Sequence, residues 1–261
     1  MKPGAALITG GGRRLGRAIA LDLASQGWDL AIHHMASADA AAEVAELARA
    51  KGVRAETLQA DLLDDAAVAS LLPRTAVVMG RAPTLLINNA SVFEPDSIQN
   101  ATLESWDRHL GSNLKAPFFL TQAFAAMAPE VGRDAAGEPV AQAAIVNMID
   151  MRVRKLSPDF ATYTLAKMGL WALTRTAAQA LAPAVRVNGI GPGPTLQGAR
   201  QRPEHFAAQR AATVLERGSS PEEICAALRF ILAADGLTGQ LLCMDGGQHL
   251  MWQTPDHDIV E

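Results

Sequence analysis

Residues 5–27 read AALITGGGRRLGRAIALDLASQG, and this stretch decides the fold class. Its apolar start predicts a buried strand that ends in three consecutive glycines. Leu15, Ile19 and Leu23 then recur at helical spacing, and Gly27 is a typical helix stop. Such a strand, glycine turn and helix can bind a pyrophosphate, because glycines let the backbone approach the anion and the helix amino terminus favours its charge. An ordinary turn between strand and helix is the alternative.

The rest of the chain repeats this alternation. Further strands are predicted at residues 30–34, 53–59, 85–87, 143–149, 185–190 and 240–244, and helices at residues 38–50, 64–79, 102–127 with a break near Pro117, from Ser157 or Asp159 to 181, and from Ser219 or Ser220 to 233. Residues 129–141 are polar and predict a surface loop. Residues 1–261 therefore predict a single α/β domain, a Rossmann-like doubly wound parallel sheet of about seven strands with helices on both faces.

Composition limits the partners. The chain has 261 residues, 49% hydrophobic and 19% charged, and its net charge of −4 gives no electrostatic case for nucleic acid or an anionic membrane. No apolar run approaches the roughly 18 residues that a spanning helix needs, and the amino terminus does not resemble a secretory signal. Cys225 and Cys243 lack metal-ligand spacing, so we expect free thiols, no metal site and a cytoplasmic protein.

Tyr163 and Lys167 are the first candidates for chemistry. They lie four residues apart in a predicted helix, so their side chains share one face. A tyrosine titrates near ~10, and a neighbouring cation lowers that pKa and makes the phenol a usable proton donor. Tyr163 is the single tyrosine of the chain. The alternative is a chance pair, in which the lysine is solvated and the tyrosine packs.

The end of the second strand bears on which cofactor is bound. A carboxylate there would hold the ribose 2′-hydroxyl of NAD, but residues 33–37 read HHMAS. The missing acid, together with Arg13 and Arg14 in the glycine turn, favours a 2′-phosphate and hence NADP. The alternative is that both arginines are simply solvated.

Short motifs lie along nearly the whole chain, namely Thr9-Gly10 with Gly16, Asp61-Leu62, Asn88-Asn89-Ala90, Asn113, Tyr163 with Lys167, and Pro192-Gly193. Motifs in this order and spacing resemble the short-chain dehydrogenase/reductase family. The resemblance implies a seven-stranded parallel sheet and a homo-oligomer, a dimer or a tetramer, with the helix of Tyr163 at a dimer face. It also implies that Lys167 bonds the nicotinamide ribose and that Asn113 holds a water that relays protons to it.

The chain departs from the common family pattern at two positions: Arg14 replaces the middle glycine of the turn, and Asp150 stands where a serine usually lies thirteen residues before the tyrosine. These two departures narrow the resemblance to the pteridine reductases. In those enzymes the matching arginine reaches pterin and cofactor phosphate, and the match of Ser91 contacts the cofactor phosphates and the pterin. The match of Phe93 stacks on the pterin, opposite the nicotinamide. Pteridine reductases often carry an arginine where this chain has Ala36, which puts the strength of NADP preference in doubt.

The site residues expected from these patterns fall into three groups. The catalytic residues are Asp150, Tyr163, Lys167 and Asn113. The cofactor-binding residues are Gly10, Arg13, Arg14, Leu15, His34, Ser37, Asp61, Leu62, Asn89, Ala90, Ser91, Tyr163, Lys167, Pro192 and Gly193. The substrate-binding residues are Arg14, Ser91, Phe93, Asp150 and Tyr163.

We therefore expect an NADPH-dependent reductase that transfers a hydride to a dihydropterin or dihydrofolate. Asp150 favours this substrate, because a carboxyl group suits ring N–H donors, whereas an ionised carboxylate would repel a developing alkoxide. An NADPH-dependent carbonyl reductase, or an idle NADP-binding sensor or scaffold, is the alternative. Residues 195–218 predict either a lid over the substrate or an ordinary surface helix, and residues 250–261 a tail that docks on a neighbouring subunit or frays.

Overall fold

The computed structural model describes residues 1–252. Their strands are β1 (Ala5–Ile8), β2 (Asp29–His34), β3 (Ala55–Gln59), β4 (Leu85–Asn88), β5 (Gly132–Arg133), β6 (Pro139–Val140), β7 (Ala143–Met148), β8 (Val185–Pro192) and β9 (Leu241–Met244). Seven of them form one sheet in the order β3-β2-β1-β4-β7-β8-β9, with every neighbouring pair parallel. Sequence order reverses between β1 and β4, so the predicted doubly wound α/β fold is confirmed.

Helices connect the strands. Those of the described residues are α1 (Arg14–Ser25), α2 (Ala38–Arg49), α3 (Asp65–Met79), α4 (Leu103–Leu110), α5 (Ala116–Ala125), α6 (Ala161–Leu181), α7 (Pro203–Ala211) and α8 (Pro221–Ala233). The start of α8 was correctly predicted: Ser220 and Glu223 form a reciprocal capping box, with Pro221 in the first turn.

The core lies on both faces of the sheet, because successive strand residues point to opposite sides. Ile8 packs in a cluster with Ile19 of α1 and Val44 of α2. Leu7 packs in a second cluster with Leu120 of α5 and others from α3. These side chains are fully buried, and each such burial contributes about 1.5–3 kcal/mol.

The turn between β1 and α1 requires glycine at two positions. Gly10 has a φ of +62°, a conformation that is costly for residues with a side chain. A Cβ atom on Gly16 would lie 2.1 Å from the carbonyl oxygen of Gly10, far inside contact distance. The turn between the predicted strand and helix therefore depends on glycine at these two positions.

The predicted cap of α6 was wrong. Neither Ser157 nor Asp159 caps this helix, which has Phe160 at its N-cap with a φ of +58° and no side-chain cap bond. Asp96, from a loop far away in the sequence, instead accepts the backbone N–H of Thr162 through Oδ1 at 3.2 Å. A tertiary contact thus replaces the local cap.

Other boundaries also differ from the prediction. The helical region expected over 102–127 is continued by a π-helical turn, Gly111–Lys115, which joins α4 to α5, so Pro117 lies in the first turn of α5. Pro117 has no N–H to donate, and the π-helical turn just before it, in which the Ala116 N–H bonds the carbonyl oxygen of Gly111, lets the helix continue through the proline. The surface loop at 129–141 contains the short antiparallel pair β5 and β6. β8 extends two residues beyond its predicted end at 190.

Segment 195–218 contains α7, which has no buried residue, as expected for a surface helix. The predicted tail, 250–261, lies outside the described residues except for its first three positions. Across residues 1–252, none of the helices has both the length and the apolar character needed to cross a bilayer.

Candidate active site

The candidate site lies at the carboxyl edge of the parallel sheet, where β1, β4, β7 and β8 end. Small or polar residues follow these strands, namely Gly10, Asn89, Asp150 and Gly193. In open α/β sheets this edge forms the ligand crevice, at the point where strand order reverses. The topology therefore brings most of the predicted motifs to one region.

Thr9 and Asn89 join the glycine turn to the end of β4. The Thr9 hydroxyl accepts the backbone N–H groups of Asn89 and Ala90 at 2.9 and 3.0 Å. The Asn89 side chain donates to the carbonyl oxygens of Thr9 and Gly10 at 2.8 and 3.2 Å. The turn is thus held rigidly before any ligand binds.

His33 gives the glycine turn a second support, which the sequence analysis missed. Its Nδ1 accepts the N–H of Gly10 at 3.1 Å, so its Nε2 carries the proton and donates to the carbonyl oxygen of Ala60 at 3.0 Å. Burial lowers the pKa of His33 to about 4 and keeps it neutral. The sequence feature that could have identified His33 is its position next to His34 at the end of β2.

The predicted adenosine-side residues lie near the ends of β2 and β3. His34 is buried, and its Nδ1 has no hydrogen-bond partner within residues 1–252. Ser37 is the N-cap of α2 without a side-chain cap bond, whereas Asp61 Oδ1 accepts the N–H of Leu63 at 2.9 Å. Leu62 packs in the core. These residues stand at the distal end of the crevice, away from Tyr163.

The first turn of α1 is open to an anion. Arg13 is the N-cap residue but makes no side-chain cap bond, and the first turn carries no acidic residue. Orphan N–H groups at such a terminus suit a phosphate. Leu15 follows in this turn and packs against the core with its apolar side chain.

Arg14 has partners within the protein, and its predicted role toward pterin and cofactor phosphate remains a prediction. It has a φ of +51°, and its guanidinium donates to the carbonyl oxygens of Leu196 and Gln197 at 3.0 and 2.7 Å. It therefore joins the glycine turn to segment 195–218. These two carbonyl oxygens accept hydrogen bonds from two nitrogens of the guanidinium group, which holds the Arg14 side chain against the segment.

Asp150, Tyr163 and Lys167 come together as predicted. Asp150 follows β7, and its Oδ2 accepts the Tyr163 hydroxyl at 2.9 Å. Lys167 Nζ donates to the carbonyl oxygen of Met148 at 2.8 Å and lies 5.6 Å from the centre of the Tyr163 ring. Tyrosine and lysine are buried on one face of α6.

The pKa of Tyr163 moves against our expectation. Burial, followed by the negative charge of Asp150, raises it well above its ordinary value. Although part of Asp150 is accessible, desolvation of its carboxyl group raises its pKa as well. Burial lowers the pKa of Lys167 to about 8. The expected lowering of the tyrosine pKa by Lys167 is not found, because burial of the phenol and the Asp150 carboxyl group that its hydroxyl faces both raise that pKa.

Asn113 makes a contact different from the expected one. It is buried in the π-helical turn, and its Nδ2 and Oδ1 bond the carbonyl and N–H of Val92 at 2.8 and 2.9 Å. The predicted water relay to Lys167 remains a prediction. These two hydrogen bonds hold in place the segment after β4, at the residue between Ser91 and Phe93.

Phe93 lies beside the reacting pair. Its ring is 45% exposed and meets the Tyr163 ring edge-on, with centroids 4.7 Å apart. Its stacking partner is Phe160, at 4.4 Å and nearly parallel, and the Arg152 guanidinium lies over Phe160 at 4.9 Å. Ser91 is exposed next to this group and can hydrogen-bond Tyr163, which opposes the rise of the tyrosine pKa.

Phe160 and Arg152 were not predicted from the sequence. Phe160 precedes Tyr163 by three residues, a helical spacing that could have placed it on the tyrosine face. Arg152 follows Asp150 in a short 3-10 turn, whose position only the fold reveals.

Pro192 and Gly193 close the crevice at the end of β8. The Gly193 N–H donates to the carbonyl oxygen of Met244 at 3.0 Å. A Cβ on Gly193 would lie 2.6 Å from the Cβ of Asp245, so packing requires glycine here.

Comparisons with known proteins agree with this architecture. A family model described as enoyl-(acyl carrier protein) reductase matches residues 11–249. The crystal structure of FolM alternative dihydrofolate reductase 1 from Brucella suis, in complex with NADP, is 42% identical, with a TM-score of 0.89 over 97% of both chains.

Two curated relatives bear different activities. Pteridine reductase 1 from Leishmania tarentolae is 32% identical over 94% of this chain and 96% of its own length. The 3-oxoacyl-[acyl-carrier-protein] reductase FabG from Staphylococcus epidermidis is 32% identical over 72% of this chain and 73% of its own. With the family model covering most of the chain, this protein belongs to the short-chain dehydrogenase/reductase family.

Proposed function

We propose that this protein is an NADPH-dependent reductase that transfers a hydride to a dihydropterin or dihydrofolate and yields the tetrahydro form. The hydrogen bond between Asp150 and Tyr163 carries the proposal. It places a carboxyl group and a phenol side by side, where a ketone reductase would need donors to one carbonyl oxygen. Similarity to a pteridine reductase and to a FolM dihydrofolate reductase supports the same substrate class.

The chain also suits the cofactor. The uncapped first turn of α1 can accept the pyrophosphate, and Arg13 and Ser37 can reach a 2′-phosphate near the end of β2. Residues 33–37 contain no carboxylate to repel that phosphate. Bound NADPH would supply the hydride, and similar solved structures hold NADP.

Protein residues would supply the proton and the orientation. Tyr163 donates its proton to the ring nitrogen next to the carbon that receives the hydride, and Asp150 shares the hydrogen bond that steadies the phenol. Burial raises the pKa of Asp150, and its hydrogen bond to the Tyr163 hydroxyl offers a route by which a proton returns to the phenol after turnover. Lys167 places a positive charge beneath the tyrosine ring.

Phe93 would form the aromatic wall of the substrate site. Flat heteroaromatic rings stack on such side chains with centroids several ångströms apart. Its exposure leaves the ring available, and its distance to Tyr163 puts a stacked ligand within reach of the phenol. Ser91 stands beside this wall as a polar partner for the ligand and the cofactor, and we propose that Arg14 of the glycine turn also reaches them, although its guanidinium bonds segment 195–218 in this structure.

Reduction of a ketone is the second candidate, favoured by the similarity to FabG. The two activities separate in one assay: NADPH oxidation with dihydrobiopterin, dihydrofolate and a panel of ketones that includes 3-oxoacyl thioesters. We expect turnover of the two dihydro compounds. Ketone turnover without them would overturn the pterin proposal, and cofactor binding without any turnover would favour a sensor or scaffold.

We also propose that residues 1–261 form a single domain that assembles into a dimer or tetramer in the cytoplasm. Large apolar side chains on α5 and α6 are exposed, namely Phe118, Phe119, Leu165 and Met168. Exposed apolar side chains of this size support an interface with a second copy. Light scattering after size-exclusion chromatography should give a multiple of the 27.5 kDa chain.

Segment 195–218 is proposed to act as the substrate lid. Arg14 contacts its first part, and Arg200 donates to the carbonyl oxygen of Phe93 at 2.5 Å. Both contacts join the segment to residues of the crevice. Replacing Arg200 by alanine should raise the KM for the substrate and leave the Kd for NADPH unchanged.

A further inference from the structure

A buried polar network lies behind Tyr163 and Phe93, outside the residues assigned above. It consists of Asp96, His109 and Thr162, which are 7%, 0% and 3% exposed. The Thr162 hydroxyl donates to Oδ2 of Asp96. His109 Nδ1 lies 2.7 Å from the same hydroxyl oxygen. Buried groups of this kind are costly unless each finds a partner, so their arrangement is informative.

The protons in the network can be placed by elimination. The backbone N–H of Glu94 donates to His109 Nε2 at 3.1 Å, so Nε2 carries no proton. His109 Nδ1 must then carry the proton and donate to Thr162, whose own hydroxyl proton goes to the carboxylate. Burial lowers the pKa of His109 and favours this neutral form. The hydrogen bonds therefore form a chain in which every donor points toward Asp96: the Glu94 N–H donates to His109, His109 to Thr162, and Thr162 to Asp96.

Asp96 also binds the start of α6. Its Oδ1 accepts the Thr162 N–H at 3.2 Å, and its backbone carbonyl accepts the N–H of Phe160 at 2.7 Å. Ser105 of α4 donates to Oδ2 at 3.2 Å. One carboxylate thus holds the first turn of the helix that carries Tyr163, where a local cap is missing.

The network joins the two sides of the proposed substrate site. Thr162 immediately precedes Tyr163, and Glu94 immediately follows Phe93. The rings of Phe93 and Tyr163 are 4.7 Å apart, and the His109 ring lies 6.0 Å from that of Tyr163. A shift of the Thr162 hydroxyl would therefore move the phenol relative to the aromatic wall.

We propose that Asp96, Thr162 and His109 are positioning residues that hold the proton donor Tyr163 in register with the substrate wall Phe93. The inference rests on the proposed reductase function of this site. None of the three is among the residues proposed to contact substrate or cofactor; they act through Tyr163 and Phe93, which are. Its loss should impair capture and protonation of the substrate and leave NADPH binding intact.

The test compares Thr162→Val, which keeps the shape but removes the hydroxyl, with Thr162→Ser, which restores it. Thr164→Val is the matched control: Thr164 flanks Tyr163 on the other side, and its hydroxyl is buried without a partner among the described residues. For each variant kcat, the KM for the substrate, the Kd for NADPH and Tm are measured. We expect kcat/KM to fall about 10²-fold in Thr162→Val, because displacements near 1 Å cost about that much.

Thr162→Ser and Thr164→Val should stay near wild type, and the Kd for NADPH should be unchanged in all three. A lower Tm in Thr162→Val with unchanged kcat and KM would show a merely structural role and overturn the proposal. If Thr162→Ser loses as much activity as Thr162→Val, the proposal is also overturned, because the hydroxyl group would then not be what positions Tyr163.

His109→Leu decides the matter if Thr162→Val does not fold. Leucine has a similar volume but removes both the acceptor for the Glu94 N–H and the donor to Thr162. We expect kcat/KM to fall about tenfold, which is less than the loss of about 10²-fold expected for Thr162→Val. NADPH binding should be unchanged. Wild-type kinetics in this variant would overturn the proposal.

The comparison does not depend on the identity of the substrate. If the wild type reduces ketones and no pterin, the proposed function fails, and the same variants are then assayed with the ketone. A loss in Thr162→Val that Thr162→Ser restores would still support the positioning role.

Discussion

Two parts of the crevice are held by different forces. The cofactor half, comprising Gly10, Arg13, His33 and Ser37, is shaped by backbone conformation and by one neutral histidine. The reacting half, comprising Phe93, Asp150, Tyr163 and Lys167, contains three ionisable groups whose pKa values burial moves. Backbone geometry can be read from glycine spacing, whereas the protonation of buried groups depends on packing. The first half should therefore control affinity for the cofactor, and the second the rate of turnover.

The largest effect is expected at Tyr163. Tyr163→Phe removes the proposed proton donor and keeps the ring, so kcat should fall about 10³-fold, within the range for general acid catalysis. The Kd for NADPH should stay within a factor of about two, since the cofactor half is untouched. Stopped-flow turnover and a fluorescence titration measure the two quantities. Retained activity would remove the tyrosine from its role.

An intermediate effect concerns stability and pH in the cofactor half. His33 is nearly fully buried, and its pKa in the folded chain is about 4, below the ordinary 6.5. Between these values the unfolded chain binds the extra proton, so stability is lost as pH falls from 6.5 to about 4. The full loss is about 3 kcal/mol, from about 1.4 kcal/mol per pH unit.

His33→Asn should flatten this dependence. Asparagine can still accept the Gly10 N–H but does not titrate. Urea unfolding between pH 4 and 6.5 would give the free energy of unfolding for both proteins. Equal slopes in variant and wild type would mean that another group causes the acid loss.

The smallest effect is expected at Arg13. Arg13→Ala should raise the Kd for NADPH about tenfold, which is about 1.4 kcal/mol, and leave the Kd for NADH unchanged. Arg17→Ala is the control, because Arg17 pairs with Glu43 on the surface at 2.7 Å. Wild-type binding of NADH as tight as that of NADPH would contradict the roles of Arg13 and Ser37.

The sequence predicted the fold because its signals are local. The glycines at 10 and 16, the βα alternation and Ser220 act within a few residues of themselves. The cap of α6 by Asp96 could not be predicted, since the two segments meet only in the folded chain. The contact between Arg14 and residues 196–197 is of the same kind.

The site was predicted less completely for a related reason. Helical spacing places Tyr163 and Lys167 on one face, and the structure bears that out. Spacing does not say which way the hydroxyl turns, and here it turns to Asp150. The direction of the tyrosine pKa follows from that orientation and from burial, neither of which a one-dimensional pattern contains.

The central claim is that Asp150 makes this a reductase of pterin-type substrates. Its most direct test is kcat/KM for dihydrobiopterin and for a ketone in the wild type and in Asp150→Ser, with the Kd for NADPH measured in parallel. We predict that the wild type reduces the pterin and that Asp150→Ser loses about 10²-fold on it while NADPH binding stays unchanged. An unchanged pterin rate in Asp150→Ser, or a wild type that reduces the ketone alone, would contradict the claim.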